Sequence, residues 1–345
     1  MTIIATGRGL KAGLATLRLV GPDWSIRTHF FSPSTKLSSN GDALVALGLL
    51  PAMIHGDDLR VSRASPALLA STRSIQAILR VWDPSLKAIR VESHGMPADD
   101  LPVIDRRAAF FSAGVDSFFT ALTHLSEVDA LVFIVGFDAP LTERALLMET
   151  RRGAQNAANE LGKLFIEVQT DIRRTADYRI SWRFYHGAVM ATIGHLLGCN
   201  FTTFYVPSAL SNDSLIPSGS HPALDQLWSS GRVRFIHDGV RPRFEKVKLI
   251  SSHPSAMRWL RVCNVAGRSA YNCGSCQKCL CTKVALAVAG SDRCESLPGP
   301  LDLGRVASLR RPSEEFKAFW KQNLVAAQAV NRADIAGVLQ LLLEE

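Results

Sequence analysis

FFSAGVDSFF, residues 110–119, decides how this chain is to be read. It follows the apolar run RAAFF (107–111) and opens the amphipathic stretch FFTALTHL (118–125). A buried strand therefore runs through a tight turn directly into a helix. The small residues Ser112, Ala113 and Gly114 let backbone N–H groups turn toward an anion, and the positive end of the following helix favours the same anion. Val115 continues the loop, Ser112 and Ser117 add hydroxyl donors, and Asp116 reads as a Mg²⁺ ligand or a loop organiser. The lysine of the G-x-x-x-x-G-K-[ST] phosphate loop is missing. The plainer alternative is a strand-to-helix turn capped by Asp or Ser, with no ligand.

Working outward, the same alternation continues. ALVFIVGF (130–137), LFIEVQ (164–169), FTTFYV (201–206) and VRFIH (233–237) read as buried strands. Residues 142–161 and 181–197 read as helices stopped by Gly162 and Gly198. This predicts an α/β fold with a doubly wound parallel sheet, covered on both faces and binding ligands at the carboxyl ends of its strands. Residues 1–100 read instead as a small α+β accessory domain. LATLRLV, SIRTHFF and LKAIRVES suggest strands, GDALVALGLLPAMI a buried helix, and Ser65-Pro66 the start of a second helix. The run MPADDLP (96–102) marks a boundary near residue 100. Residues 101–260 form the expected nucleotide-binding domain, and 261–345 a cysteine knot followed by helices, one of them capped by Ser313.

The chain has 345 residues, with 39 Lys and Arg against 31 Asp and Glu, a net charge of +8. That balance suits anionic small molecules such as nucleotides. The basic residues are scattered, so nucleic acid is not an expected partner. No signal peptide or apolar run of about 20 residues is visible, which predicts a cytoplasmic protein without a membrane partner. Six of the seven cysteines lie between Cys263 and Cys294. Such clustering points to metal in a reducing compartment rather than to disulfides.

Within RVCNVAGRSAYNCGSCQKC (261–279), Cys263, Cys273, Cys276 and Cys279 have the spacing of a closed, structural Cys₄ zinc site. Gly274 frees the turn, and Arg261, Arg268, Lys278 and Lys283 offset thiolate charge. An iron–sulfur cluster is the minority alternative. Cys281 and Cys294 compete for the same ligand places, although Cys281 also reads as a packed thiol on the next helix.

SAGVDS resembles the SGGxDS loop of the ATP pyrophosphatase (PP-loop) superfamily, with Ala113 in place of the first glycine. A methyl there is tolerated if φ is negative. Together with C-x9-CGxCxKCL, the loop is similar to the 7-cyano-7-deazaguanine synthase family, over roughly residues 106–290 by motif order. The resemblance implies an ATP-dependent, AMP-forming C–N ligase that uses ATP, Mg²⁺ and Zn²⁺. It implies that the enzyme adenylates a deazapurine-like acid and joins it to ammonia or another amine. After the second strand, GFDAPLTER lacks the Tyr-Gly-Gln of the synthase, though Asp138 remains, and the resemblance implies a cofactor-binding role for it beside residues 112–117. Two other readings stand beside it: a non-catalytic nucleotide-binding scaffold, and an RNA sulfurtransferase of the same superfamily. A homodimer, and a protein partner engaged through residues 1–100, are left open.

Two further stretches carry candidates. In VPSALSNDSLIPSGSHP (206–222), Ser208, Asp213, Ser218, Ser220 and His221 have the chemistry to hydrogen-bond a purine-like ring or a carboxylate; a solvated loop explains them as well. In HDGVRPRFEKVKLI (237–250), Lys246 or Arg243 is placed to neutralise phosphate charge, with a solvated basic helix face as the alternative. Lys246 is taken with Asp116 as the catalytic pair. His186 and His195 lack metal-ligand spacing and read as structural.

Overall fold

The computed structural model describes residues 2–11, 13–95, 105–137, 141–176, 180–209, 211, 215–263, 270–291, 293–309, 312 and 314–344. Asp138, Asp213, Arg268, Ser313 and the boundary run 96–102 lie outside the described residues.

The strands expected after residue 105 form as β6 (Arg107–Phe110), β7 (Ala130–Val135), β8 (Leu164–Thr170), β9 (Thr203–Pro207) and β10 (Arg234–Asp238). Between them lie α3 (Val115–Thr123), α4 (Arg144–Glu160), α5 (Ile172–Ala176) and α6 (Trp182–Leu196). Before them come β1 (Thr2–Lys11), β2 (Leu14–Val20), β3 (Ser25–Phe31), α1 (Gly41–His55), β4 (Asp58–Ser62), α2 (Pro66–Trp82) and β5 (Val91–His94). After them come α7 (Arg243–Ser251), α8 (Pro254–Trp259), α9 (Gln277–Val288), α10 (Leu303–Ala307), α11 (Glu314–Ala329) and α12 (Ala333–Glu344). Ser65 caps α2 from its side chain, with Pro66 in the first turn, as its sequence implies. The strand expected over 86–93 is shorter and shifted, to Val91–His94.

All ten strands belong to one sheet, in the order β10-β9-β6-β7-β8-β3-β2-β1-β4-β5. Six of the nine neighbouring pairs are parallel. The molecule is thus α/β with a large, mostly parallel sheet. The N-terminal strands continue that sheet: β3 pairs antiparallel with β8 through Phe30↔Thr170 and Phe31↔Gln169. Asp171 locks the seam, its Oδ1 accepting from Thr28 Oγ1 at 2.9 Å and from the His29 amide at 2.8 Å.

A second seam joins α1 to α6. Thirteen of the fifteen α1 residues are buried, so this helix has no solvent face of its own to solvate its backbone. Pro51 lies inside it and has no N–H to offer the Leu47 carbonyl one turn earlier. Tyr185 of α6 supplies the missing donor, its hydroxyl bonding the Leu47 carbonyl at 2.6 Å. At the start of α1, Asn40 accepts from the Ala43 amide and donates to the His195 carbonyl of α6 at 2.8 Å. His195 is buried and bonds the Trp228 carbonyl, a structural role as its sequence context suggests. No helix among the described residues is long and apolar enough to cross a membrane.

Tyr185→Phe leaves the Leu47 carbonyl buried without a donor. We expect a loss of about 1–3 kcal/mol in denaturant-induced unfolding; an unchanged midpoint would show that the α1–α6 seam does not depend on this bond.

Candidate functional site: a loop between two cavities

Strand order reverses at β6. The chain passes from β6 to β7 and β8 on one side, then crosses back to place β9 on the other. Crevices form at such switch points, beyond the carboxyl ends of the strands. The 112–117 turn emerges from β6 there and leads into α3, with Gly114 as its N-cap residue in extended conformation. The loop is braced from within: Ser117 Oγ donates to the Gly114 carbonyl at 3.1 Å and accepts from the Ser112 amide at 3.3 Å. Asp238, at the end of β10, holds α3 in place through Thr120 Oγ1 at 2.7 Å and His124 Nε2 at 3.0 Å.

Ala113 does not meet the condition of negative φ. Its φ is +58, inside the left-handed region, so the alanine does not escape the cost a glycine would avoid. Its methyl is buried in the apolar core under the loop.

Asp116 is brought together with both candidate cations. Lys246 Nζ lies 2.8 Å from Oδ1 and Arg243 Nη1 3.1 Å from Oδ2. Lys246 is not on a solvated helix face: its side chain is 1% exposed and also donates to the Ser208 carbonyl at 2.5 Å. The exposed basic face of α7 is carried by Lys248, while Arg241 just before the helix pairs with Glu245. Burial acts to raise the Asp116 carboxyl, but the Lys246 ammonium and the Arg243 guanidinium outweigh it and hold the carboxyl below its ordinary 3.8. Arg243 is held in turn by α11, with its amide on Gln322 Oε1 at 2.7 Å and its guanidinium 5.1 Å from the Phe319 ring centre.

Two cavities meet at the loop, and Ser112, Gly114 and Asp116 line both. One, of about 210 Å³, borders the cysteine knot at Cys263 and carries Arg243, Arg261 and Lys278 together with Phe316 and Phe319. Arg261 Nε is buried there without a hydrogen-bond partner among the described residues. The other, of about 220 Å³, is walled by Phe110, Phe133, Ile134, Phe137 and Met190, with His186 as a polar group besides those of the loop. His186, read from sequence as structural, thus borders a cavity. Its Nε2 accepts from the Ser220 amide and its Nδ1 lies 3.1 Å from the Trp182 carbonyl, which defines an Nδ1–H tautomer.

The other loop candidates are placed differently. Lys246 lines neither cavity and reaches the site only through Asp116. Ser208 is buried beneath it. Ser218, Ser220 and His221 line neither cavity. Ser220 Oγ donates to Asp225 at 2.7 Å, and His221 Nδ1 accepts from the Ala223 amide while its ring meets Trp82 edge-on.

The cysteine knot assembles the four residues the spacing selects. The Sγ atoms of Cys263, Cys273, Cys276 and Cys279 all lie within 4.8 Å of one another. The closest pairs are 3.5, 3.8 and 4.0 Å apart. A tetrahedral ion with metal–sulfur bonds of about 2.3 Å spaces its sulfurs about 3.8 Å apart, so the donor set fits a single metal such as zinc. It is too tight for a polynuclear cluster whose irons each take one thiolate. Gly274 turns the knuckle at φ +72, where a Cβ would meet the Pro298 carbonyl oxygen at 2.5 Å. Lys283 packs behind it, donating to the carbonyls of Gly274, Pro298 and Pro300. The Cys276 thiol is brought down to about 5, chiefly by the Cys279 thiol beside it. Cys294 and Cys281 stand apart: Cys294 contacts Ser296, and Cys281 is buried against Asn323, where desolvation pushes its thiol up to about 12.

No family model matches the chain, and neither a curated protein nor a solved structure does.

Two outcomes are expected. Asp116 titrates lower in the folded than in the unfolded chain, so its ion pairs stabilise above the unfolded value and fade as pH falls through the folded one. Asp116→Asn, which strands Lys246 without a counter-charge, costs about 3 kcal/mol near neutrality; that deficit shrinks below about pH 4. A pH-independent deficit in chemical denaturation would contradict the assignment. Elemental analysis should find one zinc per chain, lost in Cys276→Ser and kept in Cys294→Ser.

Proposed function

We propose that this chain is an ATP-dependent, AMP-forming C–N ligase of the PP-loop type, acting on a carboxylic acid related to 7-carboxy-7-deazaguanine. The observation that carries the reading is the loop itself. A lysine-free strand-to-helix turn at the switch point, with its acidic residue clamped by two cations, has apolar space on one side and cationic space on the other.

The cavity walled by Phe133, Ile134 and Phe137 suits a purine base, with these apolar side chains as its contact surface and the His186 ring beside them. The triphosphate then crosses the loop, where the first amides of α3 and the Ser112 hydroxyl meet it. Magnesium, bound with ATP, supplies neutralisation of phosphate charge, and Asp116 is the residue placed to orient it. In the first step an acid oxygen attacks the α-phosphorus, the α–β phosphoanhydride bond breaks, and pyrophosphate leaves with its electron pair. Ammonia or another amine then attacks the acyl carbon, sheds a proton, and displaces AMP. Arg243 faces the cavity and stabilises charge developing on the phosphates; Lys246 fixes Asp116 from behind. The cysteine knot holds zinc in a closed, structural role. Cys281 borders the knot-side cavity, but burial pushes its thiol up to about 12, which does not suit the reactive cysteine that the sulfurtransferase reading needs.

The test is product analysis by mass spectrometry with Mg·ATP, 7-carboxy-7-deazaguanine and ammonium. We expect AMP and pyrophosphate with a matching mass change on the acid. Asp116→Ala should abolish turnover, a loss of 10³-fold or more on the order expected of a preorganised charge site, with zinc content unchanged. Full turnover in that variant, or release of ADP instead of AMP, would sink the proposal.

A further inference from the structure

The cysteine knot and the phosphate loop are in direct backbone contact. The Arg261 amide donates to the Ala113 carbonyl at 2.8 Å, two residues before the ligand Cys263. Ala113 is the residue whose φ of +58 needs support from outside, because a side-chain-bearing residue leaves that region when nothing holds it. The position of the 260–263 segment therefore decides whether the loop keeps its shape.

One side chain fixes that segment. Asn272 is 4% exposed and immediately precedes the ligand Cys273. Its Oδ1 accepts from the Val262 amide at 2.9 Å and the Cys263 amide at 3.1 Å. Its Nδ2 donates to the Leu260 and Ser296 carbonyls, both at 2.8 Å. All four hydrogen-bonding places of the amide are used, three of them on residues 260–263. The tight turn of the knuckle does not need Asn272, since Cys273 Sγ itself accepts from the Cys276 amide at 3.2 Å. Asn272 thus joins two cysteines of the metal site to the segment that grips Ala113.

We propose that Asn272 is a positioning residue that couples metal occupancy of the Cys263–Cys273–Cys276–Cys279 site to the conformation of the 112–117 loop. With the metal bound, Cys263 and Cys273 are fixed relative to each other, Asn272 holds 260–263 in register, and Arg261 keeps Ala113 left-handed with the following amides aimed outward. Without it, the clamp loses one of its anchors and Ala113 relaxes.

The test uses the full chain, zinc-loaded and after chelation, as wild type, Asn272→Ala, Ala113→Gly and the double variant. Amide hydrogen exchange is read at Ser112 and Arg261, and Mg-pyrophosphate is titrated as the anion probe. That second arm rests on the phosphate-loop reading. In the wild type, chelation should speed exchange at both amides and weaken pyrophosphate binding, each by about tenfold, the size of a left-handed alanine's penalty. Exchange in β1 to β5 should not change. Zinc-loaded Asn272→Ala should show the same two changes with its metal content intact. Ala113→Gly should restore the affinity in that background, because glycine occupies the region unaided. A general loss of stability would not be rescued this way. If Asn272→Ala does not fold, the comparison of chelated wild type with chelated Ala113→Gly carries the test, the second keeping most of its affinity. Unchanged exchange at Ser112 and Arg261 on chelation, or no rescue by glycine, overturns the coupling. Failure of pyrophosphate to bind any form contradicts the phosphate-loop reading instead, and exchange alone then decides the coupling.

Discussion

The buried contact between Asp116 and the cations Lys246 and Arg243 is the constraint on which the site depends. Lys246 is almost fully buried, and an ammonium in that position is tolerable only when paired. Asp116 belongs to the first turn of α3, the two cations to α7, and Arg243 is seated by Gln322 and Phe319 of α11. One charge cluster thereby fixes the helix that opens the loop, the helix behind it and the helix that covers it. A cluster of this kind stabilises little relative to an apolar replacement; what it secures is a carboxylate kept ionised at a defined place beside two cavities.

The rest of the fold serves to keep that place rigid. The sheet runs unbroken from the N-terminal strands to β10, and the α1–α6 seam repairs the backbone defect at Pro51 with the Tyr185 hydroxyl. Residues 1–95 are accordingly built into the same sheet as the loop. On the opposite side of the loop, the cysteine knot contributes through Arg261, whose amide meets the one strained residue of the turn. The loop is held from the strand below, the helix after it and the metal site beside it.

Much of this was legible in the sequence, for physical reasons that differ by element. β6 to β9 are short apolar runs bounded by turns, and their burial makes them stand out, whereas β10, at the sheet edge, buries only Phe235. The Cys₄ set is legible because ligand spacing is local. β4 went unrecognised because DLRVS, although it alternates polar and apolar, is only five residues long with two apolar positions, and its place is set by pairing with β1 and β5. The role of Lys246 was half visible: α7 reads as a basic face, and only packing shows which lysine turns inward. The methyl of Ala113 is tolerated without strain only at negative φ, a condition sequence does not report on, and the turn geometry places it at +58. Asn272 left no signal beyond its place beside Cys273, because its partners are backbone groups that sequence does not mark. The stretch 206–222 reads as a ligand loop by its polarity and its place after a strand; what sequence does not mark is that Ser220 Oγ donates to Asp225 and His221 Nδ1 accepts from the Ala223 amide.

The central claim is that the turn at 112–117 binds a nucleotide through its backbone, with the base on the apolar side. The most direct measurement is a crystal structure with Mg²⁺ and α,β-methylene-ATP, whose bridging carbon blocks cleavage between the α and β phosphates. The account predicts phosphate oxygens on the first amides of α3 and on Ser112, and the base between Phe133, Phe137 and His186. A nucleotide bound elsewhere, or one whose base lies on the knot side beside Arg261 and Lys278, would contradict it.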